Sequence, residues 1–316
     1  MSGVGRAWFL NLDAEQELAR PGARTSSRAM VARCRALVAS LAGLVPDGDV
    51  AWTPGVAAPA CEGTAGVAWC PTPGALAALR SAGAAPPEAP SWAVLRAANH
   101  RSFSAGIAQT LPGAAYVRTE AELDAALREG SLTGEWLVKR PLSYRGNGRV
   151  RVRGAVDEPT QRWLHAALAV GEGLQVEPAV ERLDDHGLHA YLARDGEVTW
   201  GELTRQRVDA HGQWFATERI GDAALDAAER VTLWDVRERV ADGLRALGYW
   251  GPFGIDAFRW RDPSRALRYH ALCEVNARYS MGWAVGMAGR RADLDDTVSA
   301  SGRGGSRNRP LCGGGG

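Results

Sequence analysis

The chain has 316 residues, 46% hydrophobic and 23% charged, with a formal net charge of +1. That length is enough for two or three small domains with cores of their own. The near-zero charge speaks against a nucleic-acid footprint or an anionic membrane surface, and no apolar run approaches the roughly 18–20 residues of a membrane helix.

The first residues, Met-Ser-Gly-Val-Gly-Arg-Ala-Trp-Phe-Leu-Asn-Leu-Asp, lack the long apolar stretch of a signal peptide. Cys34, Cys61, Cys70, Cys273 and Cys312 are odd in number and scattered. They fit free thiols in a reducing compartment better than a disulfide frame. No His stands at zinc spacing from a Cys. These features predict a soluble, cytoplasmic protein.

In chain order, residues 6–11 read as a first strand. Ser26 to Val45 is apolar at helical spacing and reads as a long helix. Asp49–Trp52 and Gly66–Trp69 are short apolar runs that suit buried strands. Thr72 and Pro73 open a helix that runs to Ser81. This alternation predicts a small α/β layer. Ala82 to Pro90, rich in Ala and Pro, reads as a linker. Next come a helix over Asn99–Leu111, a strand at Ala114–Val117, and a helix opened by the capping box Thr119-Glu-Ala-Glu122. A strand at Glu135–Lys139 leads through a Gly-containing loop into a second strand. Asp157 to Gly171 is helical. Strand-like runs at 174–180, 187–193, 197–203 and 214–219 precede a long helix over Ala223–Leu247. The tail, Ser299–Gly316, is poor in apolar residues and is expected to be disordered.

The segments Gly-Pro-Phe-Gly-Ile-Asp-Ala-Phe (251–258) and Cys-Glu-Val-Asn-Ala-Arg (273–278) flank a polar, Pro-containing stretch at 261–268. A hairpin folded about residue 265 sets Asp256 opposite Glu274. Side chains alternate along a strand, so Glu274, Asn276 and Arg278 share a face. Two carboxylates and an amide oxygen form a hard-oxygen set suited to Mg²⁺, which usually sits between carboxylates and nucleotide phosphates. A short helix from about Gly282 to Gly289 follows.

Other segments admit two readings. Lys139, Ser143, Arg145, Gly146, Asn147 and Gly148 lie on a strand and loop that can form an anion cradle, or a plain hairpin turn with Lys139 solvated. The loop is not a Walker A sequence, nor is it a dinucleotide fingerprint. Glu177, Pro178, Ala179, Val180 and Glu181 can present an adenine hinge with a ribose-binding acid, or an exposed strand end. Arg205 and Arg207 project to one face, to bind a carboxylate or the transferring phosphate, or to be solvated. The dispersed Trp residues suit core filling. No His has a Ser or Cys partner at a recognisable spacing, so no triad is assigned.

Three features in fixed order complete the pattern: Val138-Lys139 with Gly146-Asn147-Gly148, then Val176-Glu177 with Glu181, then Gly254-Ile-Asp256 with Glu274-Val-Asn276-Ala-Arg278. This order resembles the ATP-grasp superfamily over roughly residues 90–290. The resemblance implies an α+β ATP-grasp fold with a small N-terminal α/β layer and two subdomains clasping ATP. Residues 1–88 are then a pre-ATP-grasp-like domain and 89–296 the ATP-grasp domain. A small lid subdomain falls at about 112–176, and 297–316 is a disordered tail.

The resemblance also implies roles. Lys139 matches the lysine on ATP phosphates, and Ser143 to Gly148 the loop that closes over them. Glu177 to Val180 matches the adenine hinge and Glu181 the ribose contact. Asp256, Glu274 and Asn276 match the Mg²⁺ (or Mn²⁺) ligands. Arg278 matches an arginine near the acyl substrate. Arg101 stands where the pattern has an earlier lysine. Gly254 stands where some relatives have an arginine, so Arg205, Arg207 or Arg278 must supply that charge. His189 stands where many relatives have a second hinge-side acid. The expected activity is a ligase joining small-molecule carboxylate and amine substrates through an acyl phosphate, with no nucleic-acid or membrane partner and with a homodimer allowed. An ATP-grasp kinase and a non-catalytic nucleotide binder are the alternatives.

Overall fold

The computed structural model describes residues 5–20, 22, 27–39, 41, 43–108, 111–143, 148–208 and 214–295. The chain begins with a parallel sheet in which β1 (Ala7–Phe9) lies between β2 (Val50–Trp52) and β3 (Gly66–Ala68). The central strand is apolar throughout because parallel strands are covered on both faces. Trp8 is fully buried and donates its indole N–H to Asp49 Oδ2 at 2.8 Å.

Helix α1 (Ala14–Ala19) follows β1. Its six residues are too few to show helical periodicity, so sequence reading passes over it. Helix α2 spans Arg28–Val38 and not the whole of 26–45; Ser27 caps it by accepting from Met30 N–H. Helix α3 (Pro73–Ser81) starts as expected, with Thr72 as cap and Pro in the first turn. The stretch read as a linker lies along the sheet edge. Gly66 N–H donates to Ala85 O at 2.7 Å and Ala85 N–H to Thr64 O at 2.8 Å.

The expected helix over 99–111 is the shorter α5 (Arg101–Ile107), and a further short helix, α4 (Trp92–Ala98), precedes it. The break has a tertiary cause. The Asn99 side chain donates to Ala277 O at 3.2 Å and accepts from Ala277 N–H at 3.0 Å, so it is spent on a distant strand end.

A four-stranded antiparallel sheet follows, ordered β4 (Ala115–Val117), β7 (Leu174–Pro178), β5 (Glu135–Lys139), β6 (Arg149–Arg153). Helices α6 (Glu120–Arg128) and α7 (Glu158–Leu168) cover it, and the Thr119–Glu122 capping box forms as expected. Val117, Leu123, Trp136, Val138, Leu164 and Val176 fill its core.

The largest sheet is antiparallel, ordered β10 (Trp214–Arg219), β9 (Val198–Val208), β8 (Glu181–Leu192), β11 (Gly251–Arg261), β12 (Leu267–Asn276). Strands β8 and β9 both extend beyond the expected runs. Helix α8 (Ala227–Leu247) lies against β12, α4 and α5. It starts after a 3₁₀ turn at Asp222–Ala224, because the capping box Asp226–Glu229 sets its first turn. Helix α9 (Trp283–Met287) packs on β8, β9 and β10. Phe253, Ile255, Ala271 and Val275 join α8 residues Leu233, Val236, Val240 and Leu244 in one core. Their burial on one face leaves the alternate residues of β11 and β12 on the other. No helix among the described residues is long and apolar enough to cross a membrane.

Candidate active site

The β11–β12 hairpin forms in the expected register: Asp256 pairs with Glu274 and Gly254 with Asn276. The turn closes with Asp262 N–H donating to Ala266 O at 3.0 Å, and Arg265 takes a φ of +70°. Both oxygens of Asp256 accept from amides. Asn276 Nδ2 donates to Oδ2 at 2.9 Å and Gln206 Nε2 to Oδ1 at 3.1 Å. Glu274 pairs with Arg101 at 3.0 Å. Burial, with Glu274 beside it, pushes the Asp256 carboxyl up to about 6.

These residues line an open cavity of about 240 Å³ together with Lys139, Ser143, Arg278 and Glu15. Lys139 Nζ pairs with Glu177, and both side chains are 8% exposed. Burial opposes the Glu177 charge, but Lys139 overrides it and holds the carboxyl below the usual range. Gly148 is required by crowding, since a Cβ there would press on the Ser143 side chain. Arg145, Gly146 and Asn147 lie outside the described residues. A smaller recess between the two antiparallel sheets is lined by Gln175, Glu177, His270, Leu272 and Cys273.

Arg278 lies just past β12. It donates to Asn276 Oδ1 at 2.9 Å and Tyr279 O at 3.0 Å, and it pairs closely with Glu15 of α1. Glu15 therefore reaches the cavity from the N-terminal layer. Burial raises its carboxyl despite Arg278. Sequence reading missed both Glu15 and Gln206. Each was hidden because its meaning depends on a contact far along the chain.

Some expected residues lie elsewhere. Arg205 and Arg207 share a face of β9, but Gln206 between them faces Asp256, so strand alternation turns both arginines away. Arg205 pairs with Asp184 at 3.3 Å and Arg207 with Glu218 at 2.8 Å. Glu181 is 52% exposed and pairs with Arg265 at 3.0 Å, outside the cavity lining. Val180 packs beside Leu111, Phe258 and Trp260. Pro178 ends β7, and Ala179 N–H donates to Glu135 O at 2.9 Å. His189 is 2% exposed and lies beneath α9, where its Nδ1 meets Ser280 Oγ at 3.0 Å. It does not line the cavity.

Asp256, Glu274 and the Asn276 amide fit a divalent cation by donor chemistry: two carboxylates and an amide oxygen on adjacent strands. Among the described residues no group of three or more His, Cys, Asp or Glu side chains is placed to hold a metal. The Asn276 amide oxygen, the third candidate donor, accepts from Arg278.

No protein-family model matches the sequence, and no curated protein matches it. Solved structures do share its fold. D-alanyl-alanine synthetase A from Vibrio cholerae O1 biovar eltor is 13% identical, with a TM-score of 0.56 over 94% of this chain and 98% of that one. D-cycloserine synthetase DcsG is 14% identical, with a TM-score of 0.51 over 95% and 99%. An ADP complex of N5-carboxyaminoimidazole ribonucleotide synthetase aligns at a TM-score of 0.44, and there this chain spans 54% of that protein. The chain has the α+β fold of the ATP-grasp superfamily.

Proposed function

We propose that this protein is an ATP-dependent, Mg²⁺-requiring ligase that activates a carboxylate as an acyl phosphate for attack by an amine. The observation that carries the reading is the register of β11 on β12. It sets Asp256 against Glu274 on the wall of a cavity that Arg101, Lys139 and Arg278 also line. Full-length likeness in fold to proteins named as synthetases supports it.

Asp256, Glu274 and Asn276 would hold Mg²⁺ (or Mn²⁺), which neutralises phosphate charge during transfer when bound. Lys139 supplies a point charge for phosphate oxygens, and Glu177 keeps its ammonium in place. Arg101 fixes Glu274 and presents its guanidinium at the cavity wall. Arg278 lies between Asn276 and Glu15, where it can draw an acid to the acidic centre and stabilise developing charge. The acid oxygen attacks the terminal phosphorus and ADP leaves. The amine then attacks the acyl carbon and phosphate leaves. Holding the reactants together contributes much of the rate.

A ligase releases ADP and phosphate only when acid and amine are both present, and hydroxylamine traps the acyl phosphate. ADP with a stable phosphoester and no free phosphate would identify a kinase. Bound but intact Mg·ATP in every mixture would identify a non-catalytic binder.

A further inference from the structure

His189 is a buried group that the chemistry above leaves unused, and the chain makes unusual room for it. A Cβ on Gly187 would lie 3.1 Å from its Nε2, one on Gly254 3.1 Å from its Nδ1, and one on Gly282 2.9 Å from its Nε2. A Cβ on Gly286 would overlap the ring itself. These positions come from strands β8 and β11, the turn before α9 and α9 itself, and all are glycine.

The ring's hydrogen bonds have only one consistent direction. Thr204 donates its single hydroxyl proton to Gly187 O at 2.8 Å. Its oxygen can then only accept from His189 Nε2–H, at 3.4 Å. His189 Nδ1 is left as an acceptor, so Ser280 Oγ must donate to it, at 3.0 Å. Burial keeps the ring neutral by lowering it to about 4, which preserves this direction. Ser280 thus shows only lone pairs to anything else it meets.

Ser280 lines a second cavity of about 270 Å³, whose wall includes Leu44, Trp214, Phe215, Met281 and Val285. Trp214 Nε1 donates to Thr217 Oγ1 at 2.8 Å, which occupies the indole N–H. Phe215 stays 58% exposed at the cavity's edge. The cavity's lining is largely apolar, which suits a hydrocarbon group. Ser280 links the cavity to the acidic centre, since a Cβ on Gly254, the register partner of Asn276, would lie 3.5 Å from its Oγ. Thr217 is the register partner of Gln206, which donates to Asp256, and Ser280 is two residues beyond Arg278.

We propose that this cavity binds the amine substrate and that this amine is apolar. Its hydrocarbon lies against Leu44, Trp214, Phe215 and Met281, and an N–H is accepted by Ser280. A carboxylate is refused because Ser280 offers it no proton. His189 is a positioning residue that holds the Ser280 hydroxyl turned inward. The word substrate rests on the ligase reading; the binding preference does not.

The test is calorimetry on the full chain with benzylamine and phenylacetate as probes, with and without Mg²⁺ and a non-hydrolysable ATP analogue. Benzylamine should bind at least ten-fold more tightly than phenylacetate. Ser280→Ala should reduce that ratio several-fold. His189→Leu should do the same, whereas His189→Gln, whose amide oxygen again accepts from Ser280, should restore it. Met281→Lys should repel benzylamine, and circular dichroism should show each variant folded. In turnover, kcat/KM should rise from methylamine to benzylamine while the KM for ATP stays constant. Equal binding of both probes, binding of neither, or a ratio that Ser280→Ala and His189→Leu leave unmoved would overturn the proposal. Benzylamine binding without any nucleotide binding or ADP release would sink the ligase reading and leave the cavity standing.

Discussion

Two close pairs of charged groups lie on the two antiparallel sheets of this molecule, and they solve their electrostatics in opposite ways. On the small sheet, Lys139 and Glu177 neutralise each other, and Glu177 is held below its usual range. On the large sheet, Asp256 and Glu274 are like charges side by side, and Asp256 is pushed up to about 6. The first pair is matched partner to partner. In the second, Asp256 accepts amide N–H groups from Gln206 and Asn276, and Glu274 pairs with Arg101.

The sharpest way to break this contrast is Asp256→Asn. It should cut ADP release on the order of 10²–10³-fold, the cost of losing one charge-stabilising group. Thermal unfolding should show no loss of stability, because a like-charge contact has been relieved. A markedly lower melting temperature would mean that the pair was built for structure.

Lys139→Ala should do the reverse to stability. It leaves Glu177 buried and unpaired, which costs about 3–5 kcal/mol. Urea unfolding would read that loss. The double change Lys139→Met with Glu177→Leu should regain most of the stability and none of the nucleotide binding.

The pH response sharpens the comparison from outside both pairs. Burial lowers His189 to about 4 in the folded chain, against about 6.5 when unfolded. Its stabilisation is therefore full above pH 6.5 and is lost as the pH falls through 4. The effect is on the order of 3 kcal/mol, and His189→Gln should make the melting curve less steep against pH over that window, where His186 and His270, which burial also lowers to about 4, still contribute. The smallest effect is expected at Arg151, which is 62% exposed opposite Glu135. Arg151→Ala should change stability by less than about 1 kcal/mol, since exposed pairs contribute little.

The parts of the site legible in the sequence were those set by local rules. The β11–β12 register followed from a symmetric fold about a polar turn, so Asp256 met Glu274 as expected. The capping box at Thr119 placed the start of α6, whereas α8 starts at Ala227 and not at the expected Ala223. The face chosen by Arg205 and Arg207 was not legible. Alternation says that they agree with each other, but only the neighbouring strand says which side holds Asp256. Glu15 and Gln206 were invisible for the same reason, and His189 was assigned to nucleotide when its partners are Ser280 and Thr204.

By itself the sequence determined segments such as α3, α6 and β5, the pairing of the two acids, and the order of its motifs, because turn chemistry and side-chain period act over a few residues. Which charges would be matched and which left wanting was decided only by the tertiary structure. Burial and partner geometry depend on residues as far apart as Glu15 and Arg278, and no local pattern carries that information.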